Sequence, residues 1–227
     1  SYLLVERPAL RKWRAGSGWS VPAMALAGIA AFAATGLFIT NKAEALRNLP
    51  APVAKVASYL SFDKRPEGQA QYSTGTCFAL PYGNPHDPAC LAPATDKANV
   101  LLVGDSHAAQ LSQALRNAIG PSHLMQATAA GCRPLFETIG LKSCHQMVMR
   151  AFEQDALASV SAVVLAGRWF DADAQSLGET VNTLRQRGVP KVIVVGPMVE
   201  YEGEMPDLLG RAMLANDTGR MAELRVA

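Results

Sequence analysis

Beyond Asn99 the chain alternates short apolar runs with amphipathic stretches. Val100 to Val103 is continuously apolar, the pattern of a strand covered on both faces. Ala108 to Ile119 predicts a helix stopped by Gly120 and Pro121. His123 to Thr128 predicts a second strand, Cys144 to Leu157 carries a helical pattern, and Ala162 to Ala166 is another buried apolar run. Leu177 to Arg187 is an amphipathic helix ended by Gly188, and Val192 to Val195, inside PKVIVVGP, is the clearest parallel strand. A further helix starts near Pro206. Strand and helix in turn predict an α/β fold: crossover units, a parallel sheet and helices on both faces. In such sheets reactive groups collect beyond the carboxyl ends of the strands. Ser106, Gly131, Arg168 and Gly196 all stand at or near such ends.

Upstream the pattern changes. Trp19 to Thr40 holds no charged residue and is dominated by Ala, Leu, Ile, Phe and Gly. It is long enough to cross about 30 Å of hydrocarbon, which predicts a membrane span. A buried core helix and a signal-peptide core are the other readings, the second disfavoured by run length and the lack of a clear small-x-small cleavage site. Arg7, Arg11, Lys12 and Arg14 precede the run, whereas Lys42, Arg47 and Lys55 follow more sparsely beside Glu44, a bias for a cytoplasmic N-side. Four zones result: a basic segment over 1–18, the span over 19–40, a Pro-, Gly- and Asn-rich connector over 41–97 with an amphipathic stretch from Val53 to Leu60, and the alternating domain over 98–227. The chain starts at Ser1 and stops at Ala227 inside a helical pattern, so it reads as a piece of a longer protein.

A net charge of +2 without basic–aromatic clusters gives no reason to expect nucleic acid as a partner. Cys77, Cys90, Cys132 and Cys144 all follow the span, as two close pairs. An even count there suggests disulfides in an oxidising compartment, with Cys77–Cys90 and Cys132–Cys144 as the favoured pairing. Other connectivities, and reduced buried thiols, remain open to spacing alone. No C-x-x-C or compact Cys/His spacing points to a metal.

The candidate chemistry lies in NVLLVGDSHAAQL, Asn99 to Leu111, where a strand turns into a helix at Ser106. A serine there stands near free backbone N–H groups and is a candidate nucleophile for acyl transfer; the structural alternative is a plain helix N-cap. Asp105 shapes the turn. His107 is poorly placed as a base, because adjacent helical side chains diverge by about 100°. His86, His123 and His145 have nothing in the sequence tying them to this site. Gly131, in TAAGCRP, offers a backbone N–H to an oxyanion or is a turn glycine beside Cys132. Arg168 and Trp169 project at a sheet edge, where the arginine holds an anion, stabilises developing charge or forms a surface ion pair. No His follows His145 and no Asp-x-x-His occurs, so the base for Ser106 is missing from this chain.

GDSH after a strand, then GC-R-P, then VVL-x-x-RW and VVGP, resembles the SGNH hydrolase-like superfamily. In particular it resembles the extracytoplasmic SGNH domain fused to acyltransferase-3-type membrane proteins that O-acylate bacterial surface polysaccharides. The opening SYLLVERPALR is similar to the close of that family's membrane domain, Tyr-x-x-x-Glu-x-Pro-x-x-Arg. The resemblance implies a three-layer α/β/α, flavodoxin-like sheet, incomplete at its C-terminus and preceded by one transmembrane helix. It implies Ser106 as nucleophile, Gly131 as the second-block glycine and Asp105 as turn support. The third block departs from the pattern, since Gly167 is followed by Arg168 and Trp169 rather than Asn. The implied protein is a multi-pass inner-membrane O-acyltransferase with a periplasmic SGNH domain. Its partners are the bilayer, its own upstream acyltransferase domain and a polysaccharide acceptor of lipopolysaccharide O-antigen, exopolysaccharide or peptidoglycan type. No cofactor is resident, because a donor such as acetyl-CoA serves the membrane domain. An esterase of the same fold, or a non-catalytic glycan-binding module, are the competing readings, and this piece alone is expected to be inactive.

Overall fold

The computed structural model describes residues 20–46, 49–80, 86–137 and 142–225. The chain forms two compact units, Ser1–Lys55 and Val56–Ala227. The first holds helix α1 (Ser20–Leu46), on which Leu26, Ile29, Phe32, Leu37, Phe38 and Ile39 are exposed. The hydroxyls of Thr35 and Thr40 donate to the carbonyls of Ala31 and Gly36, both at 2.8 Å, so neither stays unsatisfied on this apolar surface. The span predicted over 19–40 falls on this helix, with Trp19 outside the described residues. Among the described residues no helix is long and apolar enough to cross a membrane. Helix α2 (Ala51–Ala57) takes up the first half of the amphipathic stretch, and Ser58–Lys64 continues it as a 3-10 helix.

The second unit is built on one five-stranded sheet in the order β1-β3-β2-β4-β5, with every pairing parallel. The strands are β1 (Phe78–Ala79), β2 (Asn99–Gly104), β3 (His123–Ala129), β4 (Val160–Ala166) and β5 (Val192–Val194). The helices are α3 (Pro66–Tyr72), α4 (Ser106–Ala109), α5 (Ser112–Ala118), α6 (Lys142–Ala151), α7 (Gln154–Ala158), α8 (Ala174–Gln186) and α9 (Met205–Leu214). Side chains alternate across a strand, so Leu101 and Val103 enter the core that also holds Met125, Val163, Leu165, Val148 and Phe152. Val100 and Leu102 pack on the opposite face with Ala108, Val164 and Ala166. All six residues of β2 are buried, as the unbroken apolar run predicts. Strand β2 lies between β3 and β4, and the chain leaves it toward β3 before returning to β4. Its carboxyl end is therefore the topological switch point, where parallel α/β sheets leave a crevice.

Local periodicity misses three features. The predicted helix over 108–119 is two: α4 begins earlier, at Ser106, and the path turns at Gln110 and Leu111 before α5. The break has a tertiary cause, because the buried Ser112 hydroxyl donates to the carbonyl of Gln71. The 144–157 pattern divides into α6 and α7, with Glu153 extended between them. Strand β1 is only two residues long. It is held by pairing with Thr128 and Ala129, by the Thr128 hydroxyl donating to the carbonyl of Cys77 at 2.7 Å, and by a disulfide.

The disulfides are Cys77–Cys90 and Cys132–Cys144, the favoured pairing, with no free cysteine among the described residues. His86 sits near the first of them, its Nε2 2.7 Å from the carbonyl oxygen of Gln126. Burial lowers its pKa below the ordinary histidine value.

Gly104 makes the end of β2 possible. Its φ is 154°, and a Cβ there would stand 1.7 Å from the Ala166 carbonyl oxygen and 2.8 Å from the Ala108 Cβ. Gly104→Ala is expected to lower stability by about 3 kcal/mol or more and the melting temperature by roughly 10 °C. An unchanged thermal transition would contradict this close approach.

Candidate active site

The chain leaves β2 through Gly104 and reaches Asp105, only 2% exposed and in an extended conformation. Its carboxylate has two tasks. Oδ1 accepts from the backbone N–H of His107 at 2.8 Å, capping α4. Oδ2 accepts from the backbone N–H of Arg168 at 2.7 Å, tying down the chain as it leaves β4. Both bonds are charge-assisted and stronger than neutral ones. The role expected for Asp105, shaping the turn, thus extends to joining two strand ends.

Ser106 opens α4 and is half-buried. It lines a cavity of about 390 Å³ together with Gly131 and Arg168, the other residues singled out in the sequence. Gly131 stands in the turn after β3 with φ 69°, which favours glycine. A side chain there would meet nothing within 4 Å, so the space in front of it is open. The next residue, Cys132, is fully buried and bonded to Cys144 on α6, which fixes the turn. Among the described residues, neither the Ser106 nor the Gly131 N–H is engaged by another group.

His107, weighed in the sequence as a base, also lines this cavity, and three further residues there carried no signal of their own: Arg133, Phe170 and Glu200. Glu200, in the segment after β5, places Oε2 2.7 Å from Nη2 of Arg168 and Oε1 3.6 Å from Nε2 of His107. The Nδ1 of His107 is buried and lacks a partner among the described residues. Arg133 places Nη1 2.5 and 2.6 Å from the two oxygens of Asp173, and Asp173 Oδ2 also accepts from the Phe170 N–H at 2.8 Å. The guanidinium carbons of Arg133 and Arg168 lie 5.1 and 5.6 Å from the centre of the Phe170 ring. Each arginine is therefore matched by a carboxylate. Arg168, expected to hold an anion, stabilise developing charge or form a surface ion pair, is ion-paired with Glu200. The clues available were adjacency: Arg133 follows Cys132, Phe170 follows Trp169, and Glu200 follows the VVGP strand end.

The remaining histidines lie elsewhere. Nε2 of His123 is 3.2 Å from the carbonyl oxygen of Ala92, His86 meets Gln126, and His145 is on the exposed side of α6. Asp105→Asn keeps the shape but sets an amide donor or a weaker acceptor against two buried N–H groups. The expected cost is about 2 kcal/mol, read as a fall of roughly 5 °C in melting temperature. A variant as stable as the parent would show that the carboxylate does not hold the two strand ends.

The comparisons with known proteins agree with this architecture. The family model described as "SGNH domain (fused to AT3 domains)" matches residues 73–225. No curated protein matches the chain in sequence. Among solved structures, the lipopolysaccharide acetyltransferase periplasmic domain of Salmonella ser. Paratyphi A aligns with a TM-score of 0.55 and 16% identity, covering 74% of each chain. That likeness is one of fold. The parallel order, the switch point behind β2 and the family match over 73–225 lead to one conclusion: the chain belongs to the family of SGNH domains fused to AT3 domains.

Proposed function

We propose that this chain is the SGNH part of a membrane-bound O-acyltransferase in which Ser106 carries the acyl group to a hydroxyl of a cell-surface polysaccharide. The observation that carries the reading is the placement of Ser106 at the switch point of the sheet, in one cavity with the open Gly131 turn. The family description, with its AT3 fusion, supports a membrane partner domain that supplies the acyl group. The printed name of the structural neighbour supports acetyl as the group and lipopolysaccharide as one acceptor type. The two disulfides favour an oxidising, periplasmic setting.

In this reading the Ser106 oxygen attacks the acyl carbonyl as its proton passes to a base. The N–H groups of Ser106 and Gly131 receive the negative charge that develops on the carbonyl oxygen. Collapse expels the donor's leaving group, which takes the proton back from the base, and leaves an ester on Ser106. A sugar hydroxyl then attacks that ester, its proton goes to the same base, and Ser106 is released with its proton restored. The third family block contributes no Asn, and the Arg168 N–H is already taken by Asp105, so two backbone donors serve the oxyanion. Arg168, paired with Glu200, shapes the cavity wall and adds only a compensated charge. His107 is the histidine of the cavity, yet it follows Ser106 directly and diverges from it by about 100° around the helix. The proton acceptor, and the Asp that orients it, are therefore assigned to a segment outside this chain.

In the full protein, Ser106→Ala is expected to lower polysaccharide O-acylation by about 10³-fold or more with an unchanged melting temperature. Residues 1–227 alone, supplied with p-nitrophenyl acetate and a sugar acceptor, are expected to show no Ser106-dependent turnover. Full glycan acylation by the variant, or brisk serine-dependent turnover by the isolated chain, would contradict the reading. Free acetate as the sole product of the full protein would replace transfer by hydrolysis.

A further inference from the structure

A second, larger depression of about 580 Å³ adjoins the serine cavity, within the ~300–1,000 Å³ typical of small-molecule sites. The two share His107, Arg168, Phe170 and Glu200 as a common wall. The new part is made by Trp169, Leu177, Pro197 and Met198, from the exits of β4 and β5 and from α8. The indole N–H of Trp169 donates to the carbonyl of Val195 at 2.8 Å, so the ring is fixed between the two strand ends. Phe170 is 52% exposed although it lies beside this depression, an aromatic surface left to solvent.

Charge decides what such a groove accepts. Arg168 is matched by Glu200, and Asp173, which also borders the groove, is matched by Arg133. Asp171 remains, exposed and without a cationic partner among the described residues. The groove thus carries a surplus of negative charge. An acidic sugar would be repelled by Asp171 and would compete with Glu200 for Arg168. A hydrocarbon chain would strip water from the Arg168–Glu200 pair with nothing to replace it. An uncharged sugar meets neither difficulty: its apolar face stacks on Phe170, and its hydroxyls exchange hydrogen bonds with Glu200 and Arg168.

We infer that the groove bounded by Trp169, Phe170 and Met198 is the acceptor subsite, and that it selects an uncharged sugar unit and presents that unit's hydroxyl to Ser106. The assignment rests on the acyl-transfer reading for its last clause and on groove chemistry for the rest. The Arg168–Glu200 pair is then a positioning element on the border between acceptor and ester.

The test is binding without turnover. The 227-residue chain is titrated with maltohexaose and mannohexaose as neutral probes and hexagalacturonate as the acidic one, by calorimetry and saturation-transfer NMR. A neutral probe is expected to bind at least about tenfold more tightly than hexagalacturonate. Phe170→Ala is expected to weaken that binding about tenfold, Phe170→Tyr to keep it within about twofold. Asp171→Lys, an exposed change, is expected to narrow the preference for the neutral probe. Ser106→Ala is expected to bind as the parent does. If both neutral probes fail to bind, if hexagalacturonate binds as tightly, or if Phe170→Ala binds unchanged, the subsite is wrong. Should neutral binding persist while Ser106→Ala still acylates glycan in the full protein, the subsite stands and the serine's role falls.

Discussion

The structure around the serine depends on one buried carboxylate. Asp105 accepts an N–H from the first turn after β2 and another from the exit of β4, two points far apart in sequence that the sheet makes neighbours. A carboxylate removed from water is costly unless its oxygens are bonded, so this side chain demands those N–H groups as much as they demand it. Gly104 supplies the close approach that makes both bonds reachable. With these in place Ser106 stands at the start of α4, and Arg168 is delivered to the same cavity wall, where Glu200 meets it.

A second constraint comes from the other side of β2. The turn after β3 carries Gly131 at positive φ, and the buried Cys132–Cys144 bond anchors it to α6. Cross-linking a short loop limits the unfolded chain by about 3 kcal/mol, and here it also fixes where one backbone N–H stands. Strand ends from β2, β3 and β4 thus contribute Ser106, Gly131 and Arg168 to a common cavity. The segment beyond β5 closes the arrangement through Glu200.

How much of this the amino-acid sequence discloses follows from which interactions are local. The strands β2 and β4 were readable because a strand covered on both faces is apolar through its middle, as VLLV and AVVLA are. Ser106, Asp105, Gly131 and Arg168 were readable because parallel sheets place chemistry at strand ends. The break between α4 and α5 was not, since its cause is a hydroxyl bonded to Gln71, on a different element. Strand β1 was hidden because two residues have no periodicity and its support is a disulfide and the pairing with β3. Arg133, Phe170 and Glu200 were hidden because their roles arise from ion pairs and ring contacts across loops, which no spacing rule encodes. The apolar run at 19–40 was plain in composition, and its described part lies in helix α1.

The central claim is that an ester forms on one hydroxyl. It is tested most directly by acid-quenching the full protein during turnover and mapping its peptides by mass spectrometry. The account predicts one acyl group on the peptide containing Ser106, appearing before the acylated glycan and absent from Ser106→Ala. Glycan acylated at a full rate with that peptide never modified would contradict it.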